Sequence, residues 1–118
     1  MILVDTSVWV AHLRHGGVRL DALLNEGRVL CHPFIVGELA CGTLRQRTEI
    51  LSHLQALPQA ISAKHEEVMQ LIENFHLMGK GLMYVDMHLL ASAILTSVSL
   101  WTLDKKLHAV AVELKLAS

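Results

Sequence analysis

With 118 residues, the chain suits one domain and not two, and 53% apolar residues are enough for a real core. Charged residues make up 18% and the net charge is −1, which excludes long disorder and a protein that grips nucleic acid by charge alone. No apolar run reaches the roughly 18 residues of a membrane helix, and no basic segment precedes the first apolar stretch as in a secretory signal, so a cytoplasmic protein is expected.

The opening Ile2-Leu3-Val4 reads as a buried strand, continuous rather than alternating. Thr6 or Ser7 can cap a helix running through Trp9, Val10 and Leu13 until Gly16-Gly17 ends it. A second helix covers Val18 to Asn25 and stops at Gly27. Val29-Leu30-Cys31 is a short second strand. Pro33 then takes the first position of a helix carrying Phe34, Ile35, Val36, Leu39 and Ala40, closed by Gly42. Arg47 to Leu57 reads as helix up to Pro58.

Lys64 to Met78 is the clearest amphipathic helix, with Val68, Leu71, Ile72 and Phe75 at i, i+3, i+4 and i+7. Gly79-Lys80-Gly81 is a turn, and Leu82 to Val85 an apolar approach to Asp86. Met87 to Leu95 reads as a helix buried on most sides, Ser99 to Thr102 as a strand, and Asp104 to Leu116 as a last helix. Strands alternating with helices imply a parallel sheet. In such sheets ligands bind at the carboxyl ends of the strands. Cys31 and Cys41 have no metal spacing and read as small buried hydrophobes of a reducing compartment. His12 and His15 lack a third ligand and read as surface residues.

Four acids stand where solvated acids do not belong. Asp5 and Asp104 each follow a strand and open a helix, Asp86 heads an apolar helix, and Glu38 interrupts the apolar helix Phe34–Ala40. Each aspartate alone could be an N-cap, but a glutamate on an apolar face is rarely buried without a partner. Their recurrence at strand ends points to one shared site. Two carboxylates about 6 Å apart repel by roughly 3 kcal/mol, so four together approach 15 kcal/mol. That is on the order of a domain's whole stability, about 5–15 kcal/mol. Such a cluster favours a divalent cation, and all-oxygen ligands select magnesium or manganese over zinc.

The stretches MILVDTSVWV, HPFIVGELACG, GLMYVDMHLLASAIL and LWTLDKKLHAVA, in this order and spacing across the whole chain, resemble the PIN-domain proteins. Within that family they resemble the VapC toxins of bacterial and archaeal toxin–antitoxin pairs. The family's acids map onto Asp5, Glu38, Asp86 and Asp104, and its small polar residue after the first acid maps onto Thr6. Thr102 matches the usual Thr or Ser before the last acid. Many relatives carry Thr-Arg-Asp there. Thr102-Leu103-Asp104 lacks that arginine, leaving Lys105 or Lys106 to replace any substrate contact it makes.

The resemblance implies an α/β fold, a three-layer α/β/α sandwich with a mainly parallel sheet of about five strands, as a single domain over residues 1–118. It implies a Mg2+- or Mn2+-dependent ribonuclease that hydrolyses RNA phosphodiesters, a homodimer, and a small VapB-type antitoxin as partner. Asp5 and Asp86 are the first choices for metal contact. Glu38 and Asp104 would hold a second metal or orient water, and Arg14, Arg45, Arg47, Lys80, Lys105 and Lys106 are candidates for phosphate contact. Two rival readings stand beside this one: a catalytically silent binding module on the same fold, and an aspartate phosphoacceptor domain. The second lacks the acidic pair or the Asp-x-Asp that its chemistry needs.

Overall fold

The computed structural model describes residues 1–118. Its elements in chain order are β1 (Ile2–Val4), α1 (Thr6–His15), α2 (Val18–Asn25), β2 (Val29–Leu30), α3 (Pro33–Ala40), α4 (Arg47–Ala56), α5 (His65–Asn74), α6 (Tyr84–Thr96), β3 (Ser99–Trp101) and α7 (Lys105–Glu113). No helix is long and apolar enough to cross a membrane.

The three strands are parallel in the order β2-β1-β3, with Leu3 of β1 opposite Leu30 on one side and Leu100 on the other. The expected five-strand sheet is narrower than that. Its two outer members are single bridges, Cys31 with Gln59 and Leu100 with Ala117. Each has real ladder bonds: Cys31 N–H to Pro58 C=O at 2.9 Å and Ala60 N–H to Cys31 C=O at 2.8 Å, and Leu100 N–H to Leu116 C=O at 2.7 Å. Neither segment is a strand, and at the first Pro58 cannot donate to a ladder.

β1 is the switch point of the sheet. The chain leaves it for β2 on one side and reaches β3 on the other, so a crevice opens past the carboxyl end of β1. Ile2, Leu3 and Val4 are all buried, and so are the seven consecutive residues Met87 to Ala93 of α6. A buried Leu of this kind contributes roughly 1.5–3 kcal/mol. The core therefore fixes β1 firmly, and with it whatever Val4 leads into.

Several expectations shift. The cap of α1 is Asp5 rather than Thr6 or Ser7: its side chain accepts from the Ser7 N–H. Cys41, not Gly42, caps the end of α3, and it is exposed while Cys31 is buried. α5 stops at Asn74 rather than Met78. His76 takes a left-handed φ of 52°, and the Leu77 N–H turns back onto the Ile72 C=O at 3.0 Å. That turn exposes Phe75 and sends Leu77 into the core instead. Leu54 of α4 is buried, while Met69, Phe75 and Met78, in or just after α5, are exposed. His12 is mostly covered and lies 3.4 Å from Asp21.

Candidate active site

Asp5 follows β1 directly and is 6% exposed. Its Oδ2 accepts from the Ser7 hydroxyl at 2.7 Å, the Thr102 hydroxyl at 2.8 Å and the Ser7 N–H at 3.4 Å. Both hydroxyl protons thus go to one carboxylate oxygen. The hydroxyl oxygens accept in turn, Ser7 Oγ from the Leu103 N–H and Thr102 Oγ1 from the Asp104 N–H, each at 3.0 Å. The start of α1 and the turn from β3 into α7 are thereby latched through Asp5. Asp104 then caps α7, accepting from the Leu107 N–H at 2.9 Å with Oδ1.

Asp86 lies in the first turn of α6, where Oδ2 accepts from the Met83 N–H at 2.9 Å. Burial holds its carboxyl above the ordinary range. The Met83 bond opposes that, and the nearby charges of Asp5 and Asp104 add to it. The three aspartates therefore share one electrostatic neighbourhood. Glu38 joins them through Thr6, whose hydroxyl donates to Oε1 at 2.7 Å.

The four acids share a pattern. Each is anchored by hydrogen bonds to one oxygen, which leaves Asp5 Oδ1, Glu38 Oε2, Asp86 Oδ1 and Asp104 Oδ2 without a protein donor. None of the four is ion-paired with a Lys, Arg or His of the chain. This donor set is all oxygen and suits a hard cation such as magnesium or manganese. As placed, no three acidic, Cys or His side chains close on a common point. A divalent cation among the four acids would draw them together.

A cleft of about 450 Å³ opens from Thr6 and Glu38 between α1, α3 and the turn before α4, and Arg14, His15 and Arg45 line it. Neither guanidinium pairs with an acid of the chain. The remaining candidate cations are partly committed. Arg47 donates to the Ala40 C=O at 2.9 Å, Lys80 lies 3.5 Å from Glu113, and the Lys106 side chain lies across Gly81, whose φ of 79° favours glycine. Leu103, between Thr102 and Asp104, is exposed.

Ser7 is the residue that the sequence undervalued, because it reads there as a mere cap alternative. His32 was missed as well. Its Nδ1 accepts from the Phe34 N–H at 2.9 Å and caps α3, and its Nε2 is buried without a partner. Burial, then the neighbouring His88, lowers its pKa to about 4.

Comparison with known proteins fits this geometry. The PIN domain profile matches residues 2–113. Ribonuclease VapC32 of Mycobacterium tuberculosis, in strains CDC 1551 and H37Rv, is 45% identical over 114 residues, covering 96% of this chain and 92% of the relative. The crystal structure of PAE2754 from Pyrobaculum aerophilum superposes with a TM-score of 0.62 over 97% of this chain and 88% of that one, at 17% identity, and so speaks for the fold. With the profile running from β1 to the end of α7 and a relative this similar along nearly all of both chains, the chain belongs to the PIN-domain family, of the VapC kind.

Proposed function

We infer that the chain is a metal-dependent endoribonuclease, the toxin of a VapBC-type pair. One observation carries this reading: three aspartates in one electrostatic neighbourhood, with Glu38 hung beside them on Thr6, and no cation of the chain on any of the four. A silent binding module has no use for such uncompensated charge.

Asp5, Asp86 and Asp104 would hold magnesium or manganese through their unengaged oxygens. Bound there, the ion supplies positive charge that polarises the phosphate and offsets the charge that develops during attack. The chain's own residues do the rest. Ser7 and Thr102 hold Asp5 in one rotamer, and a rigid strand end fixes its position better than a loop could. Glu38, held by Thr6, orients the attacking water with Oε2 and takes up its proton. Arg14 and Arg45 draw the RNA backbone into the cleft that starts at Glu38.

An antitoxin of VapB type covers this site in the resting cell. A groove of about 190 Å³ lined by Trp9, Leu13, Leu24, Ile50, Leu54 and Leu57 adjoins the cleft and suits an apolar helix or extended segment. It runs between α1 and α4. Ile35 and Leu39 of α3 are buried and contribute little to it. The exposed Met69, Phe75 and Met78 at α5 suit a homodimer contact.

The test is brief induction in cells followed by sequencing of RNA 5′ ends, beside Asp5→Asn and beside co-expression of the neighbouring small gene. New ends at a few discrete sites are expected with the parent alone. If the folded parent adds no ends that Asp5→Asn lacks, the reading fails.

A further inference from the structure

β3 is supported unevenly at the end that holds Asp5. On the inner side the Trp101 C=O accepts the Asp5 N–H at 2.9 Å, and the Thr102 hydroxyl donates to Asp5 Oδ2 at 2.8 Å. On the outer side the rungs stop earlier. Leu100 donates to the Leu116 C=O at 2.7 Å and accepts from the Ser118 N–H at 3.1 Å, and no backbone bond follows on that flank. Thr102 itself has no backbone–backbone hydrogen bond. The residue that orients Asp5 therefore lies past the last rung of the sheet, after a strand of only three residues.

One side chain takes up that flank. Arg19, the second residue of α2, lays its guanidinium over the Trp101 ring, with Cζ 4.1 Å from the ring centroid. Its Nη2 donates to Ser118 Oγ at 2.7 Å. Ser118 is also the residue whose N–H bonds the Leu100 C=O. Arg19 thus joins α2, the end of β3 and the segment beside β3. It is exposed, and no carboxylate of the chain pairs with it. An exposed arginine without an acid has much rotamer freedom to lose, yet this one is fixed at two points. Indole is the ring that attracts a cation most strongly. None of the four acids bonds to Arg19, so its reach to Asp5 runs through Trp101, whose C=O holds the Asp5 N–H and whose neighbour is Thr102.

We propose that Arg19 is a positioning residue of the acid site: by stacking on Trp101 it holds the end of β3 in place, and with it the C=O and the Thr102 hydroxyl that set Asp5. The proposal rests on the metal-dependent ribonuclease reading. Without the stack, Trp101 and Thr102 shift together, and Asp5 presents its unengaged oxygen out of line. A displacement on the order of 1 Å, caused far from the chemistry, is enough to slow a reaction.

The test uses the full chain in two measurements, both at a temperature where circular dichroism shows every variant folded. Manganese is titrated into the metal-free protein by calorimetry, and cleavage of a single-stranded RNA is followed in magnesium. Arg19→Ala should weaken manganese by about threefold to tenfold, the range of one cation–π contact, and lower kcat by a similar factor with KM for RNA unchanged. Arg19→Lys, which keeps a cation over the ring, should recover most of both losses. Ile72→Ala, a packing variant on α5, should lower the melting temperature and leave manganese affinity and kcat at the parent's values. Arg19→Ala that binds manganese and turns over like the parent overturns the proposal. A raised KM with kcat unchanged overturns it too, since Arg19 is then a phosphate contact. An Ile72→Ala that loses as much as Arg19→Ala also overturns it, because stability and not position is then being read. A parent that binds manganese and cleaves keeps the ribonuclease reading whatever Arg19 does, whereas a folded parent that does neither refutes that reading itself.

Discussion

Replacing Asp5 by Asn and by Ala separates the chemistry of this residue from its structural work. Oδ2 of Asp5 receives two hydroxyl protons and one N–H, and caps α1. Asn offers an oxygen in the same place and is as good an N-cap. It removes a negative charge that stands near Asp86. Asp5→Asn should therefore leave the metal-free protein as stable as the parent or more so. It should cut metal-dependent RNA cleavage at least about a hundredfold, the loss expected when one key electrostatic group worth roughly 3 kcal/mol is removed. Asp5→Ala is different. It deletes the cap, about 1 kcal/mol, and leaves the Ser7 and Thr102 hydroxyls without their acceptor, roughly 1 kcal/mol or more each. A total of about 2–4 kcal/mol lowers the melting temperature by on the order of 10 °C in a domain of this size. The assay pairs thermal melting in EDTA with cleavage in magnesium or manganese. Two results refute the reasoning: Asp5→Asn that cleaves like the parent, or Asp5→Asn that melts as low as Asp5→Ala. The second would make Asp5 a structural cap and nothing more.

Ser7→Ala should cost about 1 kcal/mol of stability and lower kcat about tenfold with KM unchanged, with recovery in Ser7→Thr, because Ser7 positions Asp5 without touching substrate; an unchanged kcat contradicts this. His32, 1% exposed, is neutral in the fold, with its pKa lowered from 6.5 to about 4. The stability that this neutrality gives is complete above pH 6.5 and is lost as pH falls toward 4, by up to about 3 kcal/mol. Denaturant melts across that window should slope less in His32→Asn, which keeps a capping acceptor, and an equal slope contradicts the assignment. Met69→Lys with Phe75→Lys should shift sedimentation at micromolar concentration from dimer to monomer, whereas a monomeric parent removes the homodimer.

The parts of the fold that show in the sequence are those fixed by local chemistry. Gly16, Gly17 and Gly27 bracket α2, which begins and ends as read, and Pro33 opens α3 as read. The four acids stood out because each breaks an apolar neighbourhood. What stayed hidden depends on distant partners. The end of α5 is set by a left-handed turn at His76, which no periodicity announces and which exchanges Phe75 for Leu77 in the core. The outer sheet positions are single bridges at Gln59 and Ala117, where no strand-like run exists. Ser7 looks like any helix-start serine until Leu103, 96 residues later, donates to it. His32 drew no notice because its burial is a tertiary fact, although its cap on the Phe34 N–H is local.

The most direct measurement is cleavage of a single-stranded RNA by the purified native chain in magnesium, in manganese, and in EDTA. Four unpaired carboxylates that require a cation predict internal cuts in both metal arms, none in EDTA, and recovery when metal is added back in excess. Cuts that persist in EDTA, or a folded chain that leaves RNA whole in both metals, would contradict the account.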